Sequence, residues 1–241
     1  GIEGQERLLG AHALVIGAGG LGSPVALYLG GAGVGRLTLV DDDRVDLTNL
    51  QRQIAHAMPR LDWPKTASAA AAVAALIAQV RVETVDQRAG ATLLDRLVPQ
   101  ADIVLDCSDN FATRHAVNAA CVRHRRPLVS GAAIRLDGQV AVFDPRDAAS
   151  PCYACVFPPD SQFEETRCAT LGVLAPLVGV VGSLRASGST AGGQALAMAY
   201  EQARAAFKPG GINRILMATD GDFNVGVSSV DQIKSTVARE R

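Results

Sequence analysis

With 241 residues, 48% of them hydrophobic and 20% charged, the chain can bury one substantial core and does not have the composition of a disordered segment. A formal net charge of −1 and an aromatic content of 4% argue against a global pull on nucleic acid or anionic membrane, and against a stacking platform for single strands. The most apolar stretch, Leu171 to Leu184, is about 14 residues, too short to span a bilayer, and Pro176 interrupts it.

The start, Gly1-Ile2-Glu3-Gly4-Gln5, is polar and carries no secretory signal. Ala13 to Ile16 is the first predicted strand and Leu37 to Val40 the second. Pro64 then opens an alanine-rich helix over about residues 65–79, a placement proline tolerates. Strands follow near Val82 to Val85 and Ile103 to Leu105, then a helix from about Phe111 to His124 and a strand opened by Pro127 to Ser130. Such alternation predicts βαβ units around a parallel sheet. Ile134 to Phe143 alternates around Asp137-Gly138, a dipeptide suited to a tight hairpin turn, which would add an antiparallel edge. Residues 144–170, rich in Pro, Asp, Ser and Cys, read as a long loop. The predicted fold is a single Rossmann-like, doubly wound α/β domain over 1–241, its sheet mostly parallel with an antiparallel edge hairpin. Leu171 to Leu184 reads as a buried helix. Five cysteines without framework spacing suit a reducing cytoplasm.

The chemistry concentrates after the first strand. Gly17-Ala18-Gly19-Gly20-Leu21-Gly22 stands between that strand and a helical pattern. Glycines there let the backbone turn sharply and approach a phosphate, while the helix N-terminus offers free amides. Asp41 closes the second strand about 20 residues on, where a carboxylate can accept ribose hydroxyls. The loop alone would serve NAD, FAD or ATP. Further residues separate these options: Asn49, Gln51 and Arg52 after the second strand, Lys65 at the next helix, and Asp109-Asn110 after the strand at 103–105. Two cations and a carboxylate–amide pair at the carboxyl ends of strands suit a triphosphate with Mg²⁺. Hydride transfer needs no such cluster.

These blocks resemble the family of MoeB, ThiF and HesA, the bacterial relatives of ubiquitin-activating enzymes. The matches are GAGGLG at 17–22, GAGVGRLTLVDDD at 31–43, NLQRQ at 49–53 and PK at 64–65. They continue with DCSDN at 106–110, LVSGAAIRLDGQ at 128–139, CYAC at 152–155 and GVLAPLVGVVGS at 172–183. The resemblance implies ATP- and Mg²⁺-dependent adenylation of the C-terminal Gly-Gly carboxylate of a small ubiquitin-fold sulfur carrier, for molybdopterin or thiamine synthesis. It also implies a cytoplasmic homodimer, with the apolar segment at 171–184 as candidate interface. Carried over residue by residue, Gly20 would face the phosphates and Asp41 the ribose. Asn49 and Arg52 would hold the triphosphate, Lys65 would neutralise it, Asp109 would ligate Mg²⁺, and Asn110 would lie beside the nucleotide.

Three departures stand out. The family's Arg-Tyr-x-Arg-Gln segment ahead of the first strand has no counterpart at the start of this sequence. Cys152 and Cys155 resemble half of a structural Zn²⁺ site, which takes four ligands, although a single Cys-x-x-Cys is equally compatible with redox chemistry or chance. The second Cys-x-x-Cys is missing, the tail after Asp222 having neither cysteine nor histidine. Cys168 lies near the position where ThiF-like members bond covalently to the carrier. The alternatives are a non-catalytic binding subunit of the same fold and an NAD-dependent oxidoreductase. Cys107 and Cys121 are expected in the core, and His12, His56, His115 and His124 are assigned no catalysis.

Overall fold

A computed structural model describes residues 2–134, 137–159 and 174–186. The first apolar run becomes β1, His12–Ile16, buried along its whole length, as befits a central strand covered on both faces. β2 is Arg36–Val40, β3 Arg81–Val85, β4 Ile103–Asp106, β5 Leu128–Ile134 and β6 Asp137–Phe143. They lie in the order β3-β2-β1-β4-β5-β6, with every pair parallel except β5–β6. The order reverses between β1 and β4, which opens a crevice beyond the carboxyl ends of those two strands.

The helices are α1 Ile2–Gly10, α2 Gly22–Gly31, α3 Lys65–Leu76, α4 Ala91–Leu97, α5 Phe111–His124, α6 Tyr153–Val156 and α7 Ala175–Ala186. Strand alternation divides the core into two layers. Ala13, Val15, Leu37, Leu39, Leu105 and Val129 face one side, where Val25 of α2, Val73 of α3 and Val178 and Val181 of α7 cover them. Leu14, Ile16, Val40, Val104 and Leu128 face the other, under Leu94 of α4, Val117 of α5 and Tyr153 of α6. Each fully buried leucine contributes roughly 1.5–3 kcal/mol. The doubly wound, mostly parallel architecture is as expected.

Several local expectations change. The polar start forms α1, which exposes all of its side chains and whose Leu8 carbonyl accepts from Gly35 N–H at 2.9 Å. The hairpin register pairs Ile134 with Asp137, so Asp137-Gly138 opens β6 instead of forming the turn. Seating Phe143 opposite Leu128, in the core, outweighs the local turn preference. Residues 144–159 contain α6, while 160–173, including Cys168, lie outside the described residues. The described residues belong to one unit, Gly1–Ala186, and the part of the single-domain reading from 187 to 241 lies beyond them. Among the described residues, no helix is long and apolar enough to cross a membrane.

Candidate functional site

The glycine loop between β1 and α2 is fixed by contacts that a side chain would block. Gly17 has φ +93°, a left-handed value that favours glycine, and an added Cβ would sit 2.8 Å from the Cys107 carbonyl oxygen. At Gly22 a Cβ would fall 1.8 Å from the Gly17 carbonyl oxygen, so α2 starts directly on the loop's own backbone. Around Gly20 the space is taken by Val178 of α7 at 2.7 Å and by the Arg52 stem at 3.7 Å. At Gly19 the neighbour is the Gln53 carboxamide, with Nε2 3.6 Å from the would-be Cβ.

Ala18, between the glycines, is clamped from both sides. Its N–H donates to Asp41 Oδ2 at 2.7 Å, and its carbonyl lies 2.9 Å from His56 Nε2. A carbonyl only accepts, so Nε2 carries the proton. His56 Nδ1 then accepts from Ser68 Oγ at 3.0 Å, and Ser68 Oγ accepts from Arg60 Nε at 2.9 Å. The chain Arg60–Ser68–His56–Ala18 ties the loop to α3 and to the 3-10 turn at Met58–Arg60. This is the task of the histidine to which the sequence assigned no catalysis. Asp41 also accepts from Asp43 N–H at 2.8 Å. Burial holds its carboxyl above the ordinary carboxylate range, against the lowering pull of the Ala18 amide and of Lys65.

Burial lowers the His56 pKa below its ordinary 6.5, and the nearby cations Lys65 and Arg60 push the same way, while the bond to Ala18 opposes them. A histidine neutral when folded but free to protonate when unfolded gives stability that is full above pH 6.5 and lost as pH falls toward the folded pKa. The melting temperature should therefore drop below pH 6.5, and His56→Gln should flatten that drop. Melting curves of both proteins over about pH 5 to 8 check it; parallel profiles would assign the pH dependence elsewhere.

Arg52, Lys65, Asp109 and Asn110 follow the carboxyl ends of β2 and β4, at the same end of the sheet. Arg52 donates to Asn49 Oδ1 at 2.9 Å on the turn after β2. Buried Lys65, at the start of α3, reaches Asp43 Oδ2 at 2.8 Å. Asp109 is exposed, beyond β4 and just after Cys107 and Ser108, which pack on Gly17. Asn110 caps α5, its Oδ1 accepting from Thr113 N–H at 2.9 Å. Beneath this turn the fully buried Asp106 takes hydrogen bonds from Ser108 N–H, Ser108 Oγ and Ser130 Oγ. Gln51 is exposed, whereas Gln53, left out of the predicted set, is buried against the loop. Arg52 beside the glycine loop, Lys65 at the start of α3 and exposed Asp109, which accepts from Asn110 Nδ2 at 3.5 Å, are groups that can hold a polyphosphate and stabilise charge developing on it.

The protein-family model described as the ThiF family matches residues 1–191. The chain belongs to the ThiF family. Among curated relatives, the sulfur carrier protein ThiS adenylyltransferase of Escherichia coli is 45% identical over 185 residues, 77% of this chain and 73% of that protein. The molybdopterin-synthase adenylyltransferase of Salmonella typhimurium is 45% identical over 186 residues, covering 76% and 73%. An adenylyltransferase and sulfurtransferase of Sus scrofa is 47% identical over 188 residues, but the chain spans only 41% of it. The crystal structure of E. coli MccB with ATP superposes with a TM-score of 0.65 at 26% identity, over 76% of this chain and 55% of that one. The ThiF match ends at residue 191.

For zinc, this ThiF-family chain offers a partial fit. Cys152 Sγ and Cys155 Sγ are 3.5 Å apart, close to the roughly 3.8 Å that two thiolates keep on a tetrahedral ion with bonds of about 2.3 Å. Burial raises the Cys152 pKa, but hydrogen bonds from Asn118, from the Cys155 amide and thiol, and from the Ala154 amide outweigh it and bring it below the ordinary thiol value. Among the described residues no third cysteine, histidine or carboxylate joins them. Metal analysis should therefore find less than one zinc per chain. One tightly held zinc would require ligands from outside the described residues. Cys107 and Cys121 are buried as expected, and burial pushes the Cys121 thiol up to about 12.

Proposed function

We propose that this chain adenylates the C-terminal Gly-Gly carboxylate of a small ubiquitin-fold sulfur carrier, with ATP as donor. The observation that carries this reading is the convergence of the clamped glycine loop, Arg52, Lys65 and Asp109 at one end of the sheet, in a chain whose relatives are carrier adenylyltransferases.

An attacking carboxylate is already ionised, so the reaction needs no general base. The carboxylate oxygen bonds to the α-phosphorus while the bond to the β-phosphate bridging oxygen breaks and pyrophosphate leaves. Negative charge rises on both sides of the reacting phosphorus. We assign its stabilisation to Arg52 and Lys65, which are already held by Asn49 and Asp43 rather than free in solvent. When bound, Mg²⁺ supplies charge neutralisation on the phosphates, and Asp109 is the carboxylate we assign to it. Gly17, Gly19, Gly20 and Gly22 form the cradle, with Asp41 at its ribose side and Asn110 at its rim. The rest of the barrier reduction comes from holding two large reactants together.

The same reading makes the protein a homodimer of the reducing cytoplasm. Four free thiols among the described residues suit that compartment. A dimer contact on α7 would have to use its outer side, near exposed Leu174, because Val178 and Val181 are core. Titration calorimetry with Mg-ATP and with NAD tests the nucleotide assignment. Binding of ATP and not NAD is expected, and the reverse would favour an oxidoreductase.

A further inference from the structure

Gln53 is 4% exposed, and its Oε1 is buried without a hydrogen-bond partner among the described residues. Its backbone is fixed, with N–H donating to the Asn49 carbonyl at 3.0 Å. Nε2 and Cδ lie 3.6 and 4.0 Å from where a Gly19 Cβ would be, so the carboxamide rests on the second glycine of the loop. Leaving such a group unpaired costs the fold free energy, and native proteins seldom keep one without a use. Its neighbours on either side already have uses: His56 holds the Ala18 carbonyl, and Arg52 lies over Gly20.

We propose that Gln53 is a ligand-binding residue of this site, which completes its hydrogen bonding only on the hydrated phosphate end of a bound nucleoside triphosphate. This rests on the nucleotide reading given above. A carboxamide offers both polarities, which phosphate with its hydrated cation requires: N–H donates to phosphate oxygen, and Oε1 accepts from water on the cation. No purely basic side chain could do both. Glycine at position 19 leaves no side chain between the carboxamide and the loop backbone.

The test is Gln53→Met, which keeps the volume and removes both polar atoms, followed by thermal melting and calorimetry with Mg-ATP and with AMP. Without nucleotide, Gln53→Met should melt no lower than wild type, because an orphaned buried acceptor has gone. Its affinity for Mg-ATP should fall about tenfold or more, the weight of hydrogen bonds to charged groups, while its affinity for AMP stays within about twofold. A variant that binds Mg-ATP like the wild type overturns the assignment. So does one that melts lower and loses both ligands equally, as a structural residue would, or one whose loss is as large for AMP. A wild-type protein that binds no ATP overturns the nucleotide reading itself, a result separate from any of these.

Discussion

Replacing Arg52 or Asp109 by alanine, or Lys65 by methionine, is expected to lower carrier-dependent ATP–pyrophosphate exchange by about 10²–10³-fold each, the usual loss for one preorganised charge. The fold should survive. Arg52 is partly exposed and, among the described residues, its guanidinium bonds within its own turn, to Asn49 and the Thr48 carbonyl, and Asp109 is exposed. Lys65 differs, because it is 5% exposed and packs at the base of α3. Methionine keeps that volume and leaves its partner Asp43 in solvent, where a lost ion pair costs little. Kinetics should show the loss in kcat as well as in kcat/KM, since these charges act on negative charge that develops in the transition state. Near-normal exchange in all three variants would refute the assignment of these residues to the reaction.

Gly22→Ala is expected to be the most damaging small substitution in the loop. The new methyl would lie 1.8 Å from the Gly17 carbonyl oxygen, a backbone atom that cannot swing away. Relief requires shifting the start of α2, which is buried from Gly22 to Ala26, or breaking the left-handed turn at Gly17. A loss of about 3 kcal/mol or more is expected, at the upper end of single-site effects. Urea unfolding measures it, with Gly31→Ala as control: that position has open space and should be neutral or slightly stabilised. Equal midpoints for the two variants would show that the loop does not depend on this contact.

The sequence made the strands and the glycine loop legible for a physical reason. Buried parallel strands are short β-branched or aliphatic runs, and a glycine cluster between strand and helix has few other uses. Leu14, Val15 and Val104 needed no knowledge of the tertiary structure to be placed inside. The residues that hold the loop were not legible, because their partners are distant. His56 acts directly on Ala18, 38 residues away, while Ser68 holds its other ring nitrogen, and it sits in the irregular stretch between β2 and α3, where no periodicity reports on facing. Gln51 and Gln53 are two apart in that stretch, and only the turn after Asn49 decides which is buried. The family match names the chemistry, while the clamp on Ala18 follows from the packing of this chain.

The most direct test of the central claim is exchange of labelled pyrophosphate into ATP, with a small ubiquitin-fold carrier ending in Gly-Gly and with the same carrier lacking its last glycine. The account predicts Mg²⁺-dependent exchange with the intact carrier and loss of it with the truncated one, because the terminal carboxylate is then withdrawn from the α-phosphorus. Exchange that is the same with either carrier, or absent although the protein binds both ATP and carrier, would contradict it and leave a nucleotide-binding subunit without this reaction.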